Sequence, residues 1–216
     1  MSASTDAPLV HVVDDDPGVR RSLTLLLRAE GLEARGYPDA ESFLAGYDPD
    51  RPGCLLLDVR MPGMDGLELQ RRLAQSRPEL PVIFMTGHGE VPMAVEAMRR
   101  GALDFVEKPF DHEALLARVR EALELAVRRR EELARRRRAR ELLAGLSPRE
   151  REVLRLVVQG RLTKQVAAEL GISVRTAEVH RARLLHKLGV SSTPEMVRLA
   201  LDGGILEDSP PGPGAK

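Results

Sequence analysis

Three aspartates follow short apolar runs, at points where a buried strand would end. Asp14 and Asp15 follow the run LVHVV, and Asp58 ends the run CLLLD. A buried carboxylate is costly unless it is paired, hydrogen-bonded or bound to a metal. Each aspartate is therefore either a helix N-cap, which is the commoner role for a single acid after a strand, or a group that does chemistry.

Two other polar residues end apolar runs in the same way. Thr86 ends PVIFMT, and Lys108 ends DFVEK. The carboxyl ends of parallel strands meet at one edge of a sheet, so these side chains and the three acids are expected to converge. Crowded carboxylates repel one another, and Mg²⁺, which combines a few protein oxygens with water and phosphate oxygens, relieves that repulsion. The set is typical of phosphoryl transfer, with Asp58 as a candidate nucleophile.

The elements that must position these residues alternate between strands and helices. Apolar runs buried on both faces, separated by helical patterns, predict five βα units in a doubly wound parallel α/β sheet. The predicted strands cover residues 9–14, 32–37, 54–59, 81–86 and 104–108, and the predicted helices cover 17–30, a short stretch after 39, a stretch from about 67, 91–100 and a stretch from 111.

The second half of the chain has a helical pattern throughout. Residues 123–141, rich in Arg and Glu, are predicted as an exposed linker helix that continues the fifth helix and ends near Gly145. A solvated spacer and a short dimeric coiled coil are both compatible with this segment. Ser147, Pro148 and Glu150 have the sequence of a capping box. Further helices are expected to start at Thr163, Ser173, and Ser192 or Thr193.

Composition favours two small domains of a cytoplasmic protein. The 216 residues carry no net charge, yet residues 1–127 hold 22 acidic and 14 basic side chains and the remainder hold 11 and 19. This split indicates different partners and favours nucleic acid for the second half. The single cysteine excludes a disulfide framework, and no membrane span or signal sequence is expected. The predicted domains are residues 8–122 and 142–207, before a disordered tail at 208–216.

The first half resembles a known family over residues 9–122. The segments VHVVDDDPGVRRSL, LLLDVRMPGMDGLEL and VIFMTGHGEVPMAVEAMRRGALDFVEKPF resemble the receiver domain of two-component response regulators, and among these the FixJ and TodT group. The resemblance implies a flavodoxin-like five-stranded sheet of order 2-1-3-4-5. It also implies that Asp58 is the phosphoacceptor, that Asp15 binds Mg²⁺ directly and Asp14 largely through water, and that the backbone carbonyl of Arg60 completes the ligands.

The resemblance further implies a conformational switch. Thr86 and Lys108 would bind phosphoryl oxygens, and the Lys108–Pro109 peptide bond would be cis. Thr86 would move towards the phosphate and Phe105 would turn inward, a two-state repacking able to change a surface. That surface, on the fourth helix and fifth strand, would form a homodimer in the phosphorylated protein; Val91, Met93 and Val95 are available there or belong to the core.

Residues 163–188 have the layout of a helix-turn-helix. Ala167 and Ala168 are small enough for close helix crossing, and Gly171 suits a left-handed turn. On the second helix an inward stripe is predicted at Ala177, Arg181, Leu184 and Leu188, with Arg181 reaching out or paired. On the outward side Glu178, Val179 and Ala182 would contact bases in a major groove. Phosphate contacts are predicted for Thr163, Lys164, Arg175, Thr176, His180, Arg183 and Lys187.

The second half resembles the LuxR-type, or GerE-type, DNA-binding domain over residues 142–207. The segments LSPREREVLRLVVQG, TKQVAAELGIS and RTAEVHRARLLHKLGV carry the resemblance, and Glu178 stands where relatives often have lysine. An all-α domain of four helices is implied, the fourth supporting dimerisation. Together the two resemblances imply a NarL/LuxR-type transcription regulator that accepts phosphoryl from a sensor histidine kinase and binds promoter DNA; RNA polymerase is a further candidate partner.

Two other functions compete with this interpretation. A phosphohydrolase of the haloacid dehalogenase type would need a second acid two residues after its nucleophile, where this sequence has Arg60. We therefore expect that the protein is not an enzyme and that its only reactions are acceptance of a phosphoryl group on itself and autodephosphorylation. A receiver fold that is never phosphorylated and only dimerises would not need the complete set of three acids, Thr86 and Lys108.

Overall fold

The computed structural model describes residues 7–77, 79–87 and 91–206, without the side chains of Val91, Pro92 and Ala94. The chain divides into two compact units, Met1–Arg130 and Glu131–Lys216. The tail predicted to be disordered at 208–216 lies outside the described residues.

The first unit is a five-stranded parallel sheet of order β2-β1-β3-β4-β5, as predicted. Its central strand β3 is buried along its whole length, because helices cover both faces of a doubly wound sheet. The elements are β1 Leu9–Val13, α1 Pro17–Ala29, β2 Glu33–Tyr37, α2 Ala40–Gly46, β3 Gly53–Asp58, α3 Gly66–Ser76, β4 Val82–Thr86, α4 Val91–Arg99, β5 Asp104–Glu107 and the start of α5 His112–Ala144.

Two apolar clusters hold the helices to the sheet. Successive strand residues point to opposite faces, so Leu56 and Ile83 belong to the cluster that includes Leu115 of α5. Leu57 and Phe84 belong to the other cluster, which α2, α3 and α4 cover. The strands are therefore fixed from both sides, and their carboxyl ends are held at one edge.

Short loops at that edge are fixed by caps and by one close approach. Asp16 is the N-cap of α1, where its Oδ1 accepts hydrogen bonds from the backbone N–H groups of Gly18 and Val19. Asp65 caps α3 in the same way. A Cβ at Gly66 would lie 2.2 Å from the carbonyl oxygen of Asp58, a distance that excludes any side chain. The loop after Asp58 can therefore fold back closely over β3.

The helix α5 runs without interruption for 33 residues, from His112 to Ala144. Its continuation beyond the first unit confirms the predicted linker helix, but the expectation of full exposure is wrong near its end. Ala139 and Leu143 are buried, and Leu143 belongs to the apolar core of the second unit. Despite its length, neither α5 nor any other helix within the described ranges is apolar enough to cross a membrane.

The second unit adds four helices in which the predicted starts are nearly correct. Ser147 and Glu150 form the predicted capping box. α7 starts at Thr163, as predicted; Leu162 is its N-cap, and the N–H of Leu162 donates to Gln165 Oε1. Ala167 is buried but Ala168 is exposed, so only the first lies at the helix crossing. The helices are α6 Pro148–Val158, α7 Thr163–Leu170, α8 Val174–Leu188 and α9 Thr193–Asp202.

One buried titratable group of the first unit lies away from the acidic edge. His11 of β1 packs against the rings of Tyr37, Phe43 and Tyr47. Its Nδ1 lies 3.1 Å from the Tyr37 hydroxyl, and its Nε2 has no hydrogen-bond partner. Burial, with smaller contributions from nearby arginines, lowers the pKa of His11 from 6.5 to about 4. The imidazole is therefore neutral in the folded protein at neutral pH.

We predict that this histidine destabilises the first unit in acid. The unfolded chain binds the proton more readily, so stability present above about pH 6.5 is lost as the pH falls towards 4, by up to about 3 kcal/mol. His11→Phe should lack this part of the pH dependence. Urea unfolding followed by tyrosine fluorescence measures it, since both tyrosines are in this unit and the chain has no Trp. Equal pH slopes for the two proteins would contradict the prediction.

Candidate functional site

The three predicted acids meet at the carboxyl edge of the sheet. Asp14 and Asp15 follow β1, and Asp58 is the last residue of β3, the neighbouring strand. One carboxylate oxygen from each lies within 4.8 Å of the others. Asp14 and Asp58 are buried, whereas Asp15 is exposed. This cluster has the hard oxygen donors that a divalent cation takes, with one side open to solvent.

Lys108 joins two of these acids. Its Nζ donates to Asp58 Oδ1 at 2.6 Å and to Asp14 Oδ2 at 2.8 Å. The residue follows β5, and its peptide bond to Pro109 is cis, as predicted. Its backbone N–H donates to the carbonyl of Thr86 at 2.8 Å. The lysine is thus attached to the end of β4 while its ammonium reaches two strands further.

Burial and pairing act in opposite directions on the charges of this site. Burial raises the pKa of Asp58 above its usual value of 3.8, although the hydrogen bond and charge of Lys108 work to lower it. For Lys108, burial works to lower the pKa, but the hydrogen bonds and charges of Asp14 and Asp58 together outweigh it and raise the pKa. Lys108 therefore stays charged. Burial, in contrast, disfavours the ionised form of the Asp58 carboxylate.

The two predicted switch residues differ in exposure. Thr86 is 4% exposed at the end of β4, and Phe105 of β5 is 42% exposed. The backbone pairs Phe105 with Phe84 in adjacent strands. The ring of Phe105 therefore lies outside the core, whereas the side chain of Thr86 is buried.

The surface around Phe105 also carries exposed apolar side chains of α4. Val95 and Met98 are 47% and 40% exposed. Met93, in contrast, is partly buried against the core. Of the residues predicted to belong either to a docking surface or to the core, Met93 therefore belongs with the core and Val95 with the surface. The side chain of Val91 lies outside the described residues.

Three other residues lie at the acidic edge. Arg20 of α1 donates from its guanidinium to the backbone carbonyl of Asp14 at 2.6 Å; the sequence pattern gave no sign of this contact. Arg60 lies in the loop just after β3, and the metal-binding role of its carbonyl stays a prediction. Asp16 donates its N–H to Asp14 Oδ1 at 2.9 Å, so the N-cap of α1 also orients a metal-ligand candidate.

The second helix of the helix-turn-helix, α8, buries the predicted stripe. Ala177, Leu184 and Leu188 are buried. Arg181, on the same stripe, donates to the hydroxyl oxygens of Thr163 at 2.9 Å and Thr193 at 3.1 Å. This arginine is therefore paired, and it links α8 to the first turns of α7 and α9.

The residues predicted to contact DNA lie on the opposite side of α8 and at the start of α7. Thr163 and His180 are half-buried, and the other eight are exposed: Lys164, Arg175, Thr176, Glu178, Val179, Ala182, Arg183 and Lys187. Lys187 donates to Glu150 Oε2 at 2.7 Å. That bond, with the N–H of Ser147, lowers the pKa of Glu150 to about 2. The capping box of α6 thus holds one end of α8.

Comparison with known proteins agrees with this geometry. Residues 10–120 match the family described as response regulator receiver domain, and residues 144–200 match the family described as bacterial regulatory proteins, luxR family. Transcriptional regulatory protein FixJ of Azorhizobium caulinodans is 48% identical, over 91% of this chain and 93% of that protein. Response regulator protein TmoT of Ectopseudomonas mendocina is 44% identical, over 88% of this chain and 87% of that protein.

Solved structures give the same result. The response regulator StyR has a TM-score of 0.78 at 42% identity, over 90% of this chain and 98% of that chain. Full-length FixJ from B. japonicum has a TM-score of 0.55 at 40% identity, over 93% and 98%. The chain therefore belongs to the two-component response regulators of the FixJ and TodT group, and it is a phosphorylation-dependent transcription regulator with a histidine kinase as partner and a LuxR-type domain that binds DNA.

Proposed function

We propose that Asp58 is the phosphoacceptor of this regulator and that Lys108 and Thr86 hold the transferred group. The observation that carries the proposal is the position of Lys108 Nζ, which lies 2.6 Å from Asp58 Oδ1 and 2.8 Å from Asp14 Oδ2. An ammonium at this point neutralises charge on the acceptor carboxylate and on an incoming phosphoryl group. Thr86, at the end of the adjacent strand, supplies a hydroxyl donor.

The chemical step is an exchange of one bond to phosphorus for another. An oxygen of the Asp58 carboxylate forms a bond to phosphorus as the bond between phosphorus and the histidine nitrogen of the kinase breaks, and the electron pair of the broken bond stays on that nitrogen. Lys108 then shifts its hydrogen bond from the carboxylate to a phosphoryl oxygen. The carboxylates of Asp14 and Asp15 lie beside the reacting group but form no bond to phosphorus.

The acids fit Mg²⁺ as the cation of this site. Asp14, Asp15 and Asp58, with the backbone carbonyl of Arg60, would hold the ion. Bound there, Mg²⁺ neutralises the carboxylates and orients phosphoryl oxygens, using few protein ligands and several waters. The exposure of Asp15 supports this assignment, since it leaves room for water and for the phosphoryl donor.

Phosphorylation is proposed to change the surface that contains Val95, Met98 and Phe105. A phosphoryl group on Asp58 attracts the Thr86 hydroxyl, and Phe105 turns inward as Thr86 moves. Exposed apolar side chains on this surface support its use as a homodimer interface in the phosphorylated state. In the dimer, the two DNA-binding domains then bind two half-sites. RNA polymerase is the proposed partner of the regulator once it is bound to DNA.

On DNA, α8 is proposed to lie in the major groove. Glu178, Val179 and Ala182 face base edges, with Glu178 as an acceptor for a cytosine amine. The exposed cations, with the start of α7, contact phosphates. When the domain binds DNA, the ammonium of Lys187 either leaves Glu150 and donates to a phosphate, or donates to Glu150 and a phosphate together.

The protein is further proposed to be a cytoplasmic regulator and not a turnover enzyme. Arg60 stands where a phosphohydrolase of the haloacid dehalogenase type needs its second acid. The only hydrolysis expected is loss of phosphoryl from Asp58 itself. Binding to chromosomal DNA assigns the protein to the cytoplasm.

The phosphoacceptor is tested by replacing one oxygen of the acid. With Mg²⁺ and acetyl phosphate, the wild-type protein should gain the mass of one phosphoryl group, and hydroxylamine should remove it. Asp58→Asn should gain none, because an amide is not a nucleophile for phosphorus. Asp50→Asn, at an exposed aspartate outside the site, is the matched control. In sedimentation, only proteins labelled at Asp58 should dimerise; labelling of Asp58→Asn would refute the assignment.

Metal binding is tested at Asp15, whose exposed side chain lies in the acidic cluster. MgCl₂ should raise the free energy of unfolding of the wild type as the ion binds the folded state, and EDTA should remove the increase. Asp15→Asn should require at least about tenfold more Mg²⁺ for the same increase, a loss that even outer ligand partners cause. Asp50→Asn should match the wild type. A response of Asp15→Asn equal to that of the control would remove Asp15 from the ligands.

DNA contacts are tested by a pair of variants in the second unit. Lys164→Ala should weaken binding almost equally for all sequences and reduce the slope of log affinity against log salt by about one. Glu178→Ala should leave that slope unreduced and instead change base preference, by about 1–3 kcal/mol at one position. Fluorescence anisotropy at several salt concentrations and selection from random DNA measure the two effects. Identical sequences selected by Glu178→Ala and wild type would show that α8 is wrongly oriented.

A further inference from the structure

The side of α8 that is proposed to face DNA carries an acid from a neighbouring helix. An open concavity of about 750 Å³ lies on this side, and six residues line it: Val179, Ala182, Arg183, His186 and Lys187 of α8, and Glu150 of α6. Two of them, Val179 and Ala182, are proposed above to contact bases. Glu150 therefore places a carboxylate beside the surface that DNA is expected to approach.

Glu150 contacts the last turn of α8 through one of its oxygens. The Nζ atom of Lys187 donates to Oε2 at 2.7 Å, and the backbone N–H of Ser147 donates to the same oxygen at 2.8 Å. The side chain of Glu150 is 16% exposed, whereas that of Lys187 is 43% exposed. The carboxylate is thus held from two sides, while the ammonium stays accessible to a further partner.

At the distance of a phosphate, the charges of this pair largely cancel. A phosphate that approaches Lys187 is attracted by the ammonium and repelled by the carboxylate beside it. The ammonium has three N–H donors, so it can still donate to a phosphate, but the pair brings no net positive charge to that contact. The bond from Lys187, and after it the bond from Ser147, lowers the pKa of Glu150 to about 2. The carboxylate therefore stays ionised at neutral pH.

A structural role explains part of this contact. The bond from Lys187 joins α8 to α6, and the bond from Ser147 completes the capping box of α6. Glutamine also serves in a capping box, however, and its amide oxygen can accept the bond from Lys187 as well. Both structural roles need an oxygen acceptor at residue 150 but no negative charge. The effect of the charge on DNA binding can therefore be measured separately.

We propose that Glu150 makes an autoinhibitory contact, in which its carboxylate competes with DNA phosphates for Lys187 and so weakens DNA binding. The inference rests on the DNA-binding face proposed above and adds to it a residue that opposes binding. When Lys187 contacts a phosphate, the carboxylate loses part of its compensation, and a cation from solution replaces it. Fewer cations are then released than the number of phosphate contacts would give. Because phosphates carry no sequence information, the competition limits binding to all sequences.

The test removes the charge of Glu150 and keeps its oxygen acceptor. In fluorescence anisotropy, the full chain with Glu150→Gln should bind a labelled duplex of random sequence about two- to fivefold more tightly than the wild type, the range of an exposed ion pair. The slope of log affinity against log salt should become steeper by up to about one. The matched control is Glu152→Gln, which removes an exposed acid of the same helix outside the concavity. Its affinity should stay close to that of the wild type.

A double-mutant cycle with Lys187→Gln tests the competition directly. This substitution should weaken binding more in the Glu150→Gln protein than in the wild type, because the ammonium is fully available to phosphate once the carboxylate is gone. Equal effects of Lys187→Gln in the two backgrounds would contradict the competition. So would an affinity of Glu150→Gln no higher than that of Glu152→Gln.

The proposed DNA-binding face is judged separately in the same assay. If Lys164→Ala weakens binding but Glu150→Gln does not strengthen it, the autoinhibitory contact is refuted and the face stands. If neither Lys164→Ala nor Lys187→Gln weakens binding in any background, the face is wrong and the autoinhibitory contact is refuted with it.

Discussion

The contact of the Lys108 ammonium with the carboxylates of Asp14 and Asp58 is the interaction on which the receiver site depends. Without it, two buried acids would face each other with no countercharge, an arrangement far more costly than the pair they now form. Three carboxyl groups facing one ammonium leave a formal excess of two negative charges among these four side chains. A divalent cation offsets that excess, and a phosphoryl group, which adds further negative charge, makes the cation more necessary still. The same charge imbalance is the physical basis of both the proposed metal site and the proposed phosphoryl chemistry.

Much of this arrangement was predictable because it follows from the geometry of parallel strands. The runs before Asp14, Asp58 and Thr86 lack a polar face, so they had to be buried strands whose carboxyl ends share an edge. Convergence of the polar residues there needed no knowledge of packing. The order of the strands, in contrast, came from the family resemblance, since the pattern of apolar runs contains no information about which strands are neighbours.

Other features depend on contacts between distant elements, and the sequence pattern contains no signal for them. Leu143, near the end of the helix predicted to be an exposed linker, packs in a core whose other members come mostly from helices later in the chain. Arg181 had to pair or reach solvent, but its partners, Thr163 and Thr193, are 18 and 12 residues away. Gln70 reads as an ordinary polar helix residue. Only its position beneath α4 leaves one of its amide atoms buried without a partner.

The distribution of burial across the sheet is consistent with a fixed site beside the surface that is proposed to move. Asp58 ends β3, whose six residues are all buried between β1 and β4, so the acceptor is held rigidly. Phe105 belongs to β5, an edge strand of four residues of which one is buried. Elements with few buried contacts open and rearrange at lower free energy than the core. Thr86 ends β4, which lies between these two strands, and its carbonyl accepts the N–H of Lys108. The proposed switch therefore passes from Asp58 on β3 through β4 to β5, a strand with little buried surface to hold it in place.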